Sequence, residues 1–155
     1  MHRPITGIAA ALAAAGTLAL LPGSARAATG SQPASGTFRE TSVTIDSTAV
    51  VDGNEILVIT VSGTIAGTVA GTFTETDTVV IKPDGSVALA GAGTQSGTLG
   101  TCGTGSARYV TEATGNAAAR SGQILAIGQL ASADLSFTVN AVTGEGTYAG
   151  TYRCA

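Results

Sequence analysis

Between Thr72 and Ile81 the chain reads Thr-Phe-Thr-Glu-Thr-Asp-Thr-Val-Val-Ile. Successive side chains of an extended strand point to opposite faces, so this stretch predicts a strand with Thr72, Thr74, Thr76 and Thr78 on one face. Phe73, Glu75, Asp77, Val79 and Ile81 share the other. Asp134 to Asn140 repeats the pattern, with Leu135, Phe137 and Val139 alternating with Ser136, Thr138 and Asn140. Burying such large apolar side chains is worth about 1.5–3 kcal/mol each, so both apolar sets are expected to face one interior. Lys82-Pro83-Asp84-Gly85 places proline second and glycine fourth, the signature of a type I turn, and predicts a hairpin from Thr72 to Ala92. β-Branched runs bounded by Gly and Asp predict further strands at Gly36 to Asp46, Glu55 to Ala66, Gly105 to Ala113, Gly122 to Leu130, Asp134 to Ala141 and Gly146 to Cys154. Asn116 to Arg120, with three alanines, is read as one helical turn.

About eight strands with almost no helix imply a closed barrel or a sandwich. Glycines recur inside the strands, at Gly63, Gly67 and Gly71, at Gly93 and Gly97, and at Gly146 and Gly150. Interior glycines permit the bulges and tight coiling that closure requires. The expected fold is therefore an all-β, eight-stranded antiparallel β-barrel, with a β-sandwich as the alternative.

The first residues follow a different pattern. His2 and Arg3 precede an apolar run from Ile5 to Leu21, then the helix-breaking Pro22-Gly23 and the small-x-small triplet Ala25-Arg26-Ala27. This is the layout of a signal peptide over residues 1–27, cut after Ala27. The run is short for a bilayer span, which takes about 20 residues, and no later segment is long and apolar enough to be one. Residues 28–35 read as a flexible leader and 36–155 as a single barrel domain. The expected location is secreted, with no stable membrane span after cleavage. Cys102 and Cys154 are the only cysteines, and an even count in an exported chain predicts a disulfide between them.

Cleavage also changes the chemistry. The only histidine, His2, leaves with the signal peptide, and with it go the Ser-His-Asp and Cys-His arrangements, histidine metal sites and the commonest general base. No metal or cofactor site is expected. With Arg3 and Arg26 gone, five basic residues face ten acidic ones, so nucleic acid is a poor partner. The candidates that remain are carboxylates and aromatics. If the Phe73 face points inward, Glu75 and Asp77 enter a low-dielectric lumen with raised pKa. If the threonines line a polar lumen instead, the acids lie outside, and a wet barrel mouth is a third placement. Arg108 and Arg153 are candidate partners for these acids. Tyr148 and Tyr152 share a strand face, as core packing first and cavity lining second.

Gly36-Thr37-Phe38, the block Gly63-Thr64-Ile65-Ala66-Gly67-Thr68 with Gly71-Thr72-Phe73, and the closing Gly144-Glu145-Gly146-Thr147-Tyr148-Ala149-Gly150-Thr151-Tyr152 together carry a family resemblance. The pattern resembles the allene oxide cyclase barrel-like group, which includes secreted actinobacterial members and is related to the dirigent proteins. The resemblance covers Gly36 to Cys154, and its motifs are turn and glycine positions. It implies an eight-stranded antiparallel barrel with a cavity, and it leaves a homo-oligomer open. No position matches a catalytic residue of the group, so the catalytic residues are unknown and activity does not transfer.

Three functions fit these residues. The first is a non-catalytic extracellular protein that binds a small apolar ligand inside the barrel, with Phe73, Glu75, Asp77, Phe137, Tyr148 and Tyr152 as cavity candidates. The second is an isomerase or cyclase that steers a substrate by cavity shape and one carboxylate. The third is a structural extracellular protein without a ligand. The residues lean away from an enzyme, and were it one, isomerase or cyclase chemistry suits them better than hydrolysis.

Overall fold

The structure, a computed structural model, describes residues 30–155. The segment read as a signal peptide, and the first two residues of the leader, lie outside the described residues. Eight strands follow in chain order: β1 (Gln32–Val51), β2 (Asn54–Gly67), β3 (Val69–Ile81), β4 (Ser86–Leu99), β5 (Thr104–Asn116), β6 (Ala119–Gly128), β7 (Ala131–Asn140) and β8 (Glu145–Cys154). Each pairs antiparallel with the next, and β1 pairs with β8, so the sheet closes into a barrel. This settles the choice between barrel and sandwich in favour of the barrel.

The turns follow from local chemistry. Lys82–Gly85 forms the expected tight turn, with the Gly85 amide donating to the Lys82 carbonyl at 2.9 Å and Gly85 at φ 81°. Asp52 and Gly53 both take positive φ between the paired Val51 and Asn54, a two-residue hairpin turn that suits the twist of its strands. The expected helical turn at Asn116–Arg120 does not form. The Asn116 side-chain oxygen instead accepts the amides of Ala118 and Ala119, and Ala119 already pairs with Asn140. An asparagine that caps two amides makes a turn in place of a helix.

The leader also needs correction. Gln32–Ser35 are not outside the fold: they pair with Ala149–Tyr152 and supply half of the seam that closes the barrel. Ala34 is 3% exposed. Small and polar residues such as Gln-Pro-Ala-Ser show no strand signal alone, and it is the free edge of β8 that recruits them.

The interior holds Val61, Val79, Leu89, Leu135, Val139 and Phe137, with Phe38, Phe73 and Ile81 packed against them. The outer faces of β3 and β7 expose Thr72, Thr74, Thr76, Thr78, Ser136, Thr138 and Asn140. The hydroxyl faces of β3 and β7 are the reverse of lipid-facing strands, while β5 and β6 expose Val110, Leu125 and Ile127. Among the described residues no helix is long and apolar enough to cross a membrane. One barrel end is tied by side chains. The Tyr148 hydroxyl contacts the Val69 amide at 2.8 Å, the Tyr152 hydroxyl donates to Gln32 Oε1 at 2.8 Å, and Cys102 and Cys154 form the expected disulfide. Beyond Arg39, β1 loses β8 as a neighbour and continues to Val51 against β2 alone, with two bulges, near Thr41 and Asp46.

Candidate functional site

The barrel encloses a cavity of about 330 Å3. Its walls are mostly apolar, with Phe38, Phe73 and Phe137 in edge-to-face contact through Phe38, at centroid distances of 6.3 and 6.0 Å. Glycines let these rings lie close to the wall. A side chain at Gly63 would strike the Phe73 ring, and one at Gly146 would strike Phe38.

The polar part of the cavity is built across three adjacent strands. Register places Glu75 opposite Gly93, and Gly93 opposite Tyr109. One step along, Asp77 faces Gly91, which faces Thr111. The two glycines of β4 leave a saddle between β3 and β5. Across it the Thr111 hydroxyl donates to Glu75 Oε2 at 3.2 Å. Any Cβ at Gly91 would collide with the Asp77 carboxylate, and one at Gly93 would crowd the Tyr109 ring and Glu75. The carboxylates can occupy the inner wall only because those positions are glycine.

Glu40 from β1 and Arg120 from β6 also line the cavity. Asp77 is 1% exposed, and its Oδ1 has no hydrogen-bond partner among the described residues. Burial, reinforced by the charges of Glu75 and Glu40, pushes the Asp77 carboxyl up to about 7, and Arg120 offsets only part of this. Burial also raises Glu75, against hydrogen bonds from Thr111 and Tyr109 that favour its charged form. Glu40 rises by burial as well, opposed by Arg120. Burial first, and then the neighbouring Glu75 and Asp77 carboxylates, hold the Tyr109 phenol protonated. Gln95, a wall residue between Phe73 and Ala107, carries a buried Nε2 that likewise lacks a partner among the described residues.

Of the residues singled out from the sequence, Phe73, Glu75, Asp77, Phe137 and Tyr148 line the cavity. The threonine face of β3 is outside, so the acids point inward and are not on the outer surface, with Asp77 buried and Glu75 half-buried. Tyr152 does not line the cavity. It lies beyond it, buried at the tied end, with its hydroxyl also reached by the Thr101 amide at 3.4 Å. Arg108 and Arg153 are exposed on the outer face and cannot meet the acids; Arg120 is the cation that faces them. Sequence reading missed Glu40, Gln95, Tyr109, Thr111 and Arg120 as a group. The Lys82–Gly85 turn would have placed Gly91 and Gly93 opposite the acids, since it fixes the β3–β4 register.

Among the described residues, no three His, Cys, Asp or Glu side chains gather closely enough to hold a metal ion. Fold and site together define a closed eight-stranded antiparallel barrel with an apolar lumen and an acidic wall. No family model matches the chain, and no curated protein matches it.

Proposed function

We propose that this protein is an exported barrel that holds one small, mostly apolar molecule in its lumen. The observation that carries this reading is the 330 Å3 cavity walled by Phe38, Phe73, Phe137 and aliphatic side chains. Pockets for small molecules are apolar enclosures with a few convergent polar groups, and this lumen has that make-up. A cavity of this kind favours a binding protein over a barrel filled for structural purposes. Export is supported by the leader-like pattern of residues 1–27 and by the Cys102–Cys154 disulfide, which persists in an oxidising compartment.

The steering isomerase or cyclase is the second reading, favoured by one observation. A carboxyl poised near neutrality, Asp77, lies beside Glu75 on an apolar wall, as a general acid–base pair requires. The group resembled by the glycine and turn motifs points to the same barrel use.

Native mass spectrometry of the protein taken from its producer's culture medium tests the binding reading. The expected spectrum shows a companion mass that is lost on denaturation. A bare chain that also takes up no added apolar compound would contradict it.

A further inference from the structure

We infer that the molecule held in the lumen is a hydrophobic amine, bound as its ammonium ion with the nitrogen at the Glu40, Glu75 and Asp77 wall and the hydrocarbon part against the phenylalanines. This rests on the lumen being a ligand site, and it names the chemical class.

Charge balance comes first. Three carboxylates line the cavity against one guanidinium, that of Arg120. Each of the three carboxyls is raised by burial, and repulsion among them adds to the rise at Glu75 and Asp77. Such a wall is short of positive charge, and a cation placed beside Asp77 and Glu75 lessens the repulsion along it. Hydrogen bonding agrees. Asp77 is almost wholly buried, yet its Oδ1 has no donor among the described residues. A buried acceptor without a donor costs about 1–3 kcal/mol, and an ammonium carries up to three donors.

The surroundings then select the kind of cation. An inorganic ion needs several oxygen ligands converging on one point, and among the described residues the acids do not gather in that way. An organic ammonium needs only two or three acceptors along a wall and apolar surface for its body. Phe38, Phe73 and Phe137 supply that surface, and ring faces attract cations as well. A carboxylate ligand, by contrast, would have to sit among three acids to reach Arg120.

Calorimetric titration of the purified, oxidised protein at pH 7 with octylamine, octanol and octanoate separates these cases. Octylamine is expected to bind about tenfold tighter than octanol or better, with octanoate weakest. Octylamine binding should also release protons, seen as a heat that changes with the buffer, while octanol binding should not. Asp77→Asn should bring octylamine down toward octanol and leave octanol unchanged. Equal affinities for amine and alcohol, or a preference for octanoate, would overturn the amine assignment while leaving the lumen as a binding site. Binding of none of the three would overturn both. The comparison on the unaltered protein decides the matter even if the variant folds poorly.

Discussion

At the scale of single residues, the site depends on what is missing from Gly91 and Gly93. Their absent side chains make room for two buried carboxylates and for the reach of Thr111 to Glu75. Gly91→Ala is therefore expected to destabilise the barrel by about 1–3 kcal/mol through overpacking against Asp77. In an Asp77→Ala background the same change should cost clearly less, and a double-mutant cycle by denaturant unfolding measures the difference. Full additivity would place the collision elsewhere. Asp77 gives a second expectation. Its carboxyl, ordinarily near 3.8, stands at about 7 in the folded barrel. Well below pH 4 both folded and unfolded chains hold the proton. Between 4 and 7 the unfolded chain releases it first, so stability falls as pH rises through that window and levels off above 7. The loss from pH 4 to 8 should exceed that of Asp77→Asn by roughly 1–3 kcal/mol, read from urea midpoints. Parallel pH profiles for the two proteins would contradict the assignment.

At the scale of elements, alternation made the faces of β3 and β7 legible. Phe73, Glu75, Asp77 and Val79 went inward together because parity leaves no choice once the large apolar members are buried. Phe137 is 9% exposed and Thr138 lies outside, its hydroxyl hydrogen-bonded to that of Thr147 at 3.1 Å. Phe137→Ala should cost about 3 kcal/mol, the low end for a phenylalanine because one side of its ring already borders open space. Thr138→Ala should cost less than about 1 kcal/mol. Equal thermal unfolding midpoints for the two variants would invert the face assignment. What alternation could not show was β1. Its bulges near Thr41 and Asp46 shift the inward set, so even-numbered Phe38 and Glu40 and odd-numbered Val43 all border the cavity. No single parity describes the whole strand, although Glu40, ahead of the first bulge, shares the parity of Phe38 and follows it inward. Arg120 escapes the sequence because Asn116–Arg120, with its three alanines, reads as a helical turn. Gln32–Ser35 gained strand conformation from a partner more than a hundred residues away in sequence, which local composition cannot report.

At the scale of the whole molecule, the barrel is closed by one seam and tied at one end. The Cys102–Cys154 bridge links the β4–β5 turn to the last residues of β8 across 52 positions. Reducing it should lower stability by up to about 4 kcal/mol, the loop-closure value for that span, as measured by urea unfolding with and without reductant. An unchanged midpoint would mean that the tyrosine hydrogen bonds and strand pairing hold that end alone. The cation-poor wall and the apolar lumen lie inside this tied frame, so the binding surface is expected to be preformed, with little rearrangement on filling. The methyl NMR spectra of the protein titrated with octylamine and, separately, with octanol test most directly whether the lumen receives a ligand. The expected shifts fall on lumen methyls of Ile65, Leu89, Ile124, Leu135 and Val139, while the outward Val110, Leu125 and Ile127 stay in place. Shifts confined to the outward methyls, or none at all with either compound, would show that the lumen does not receive a ligand.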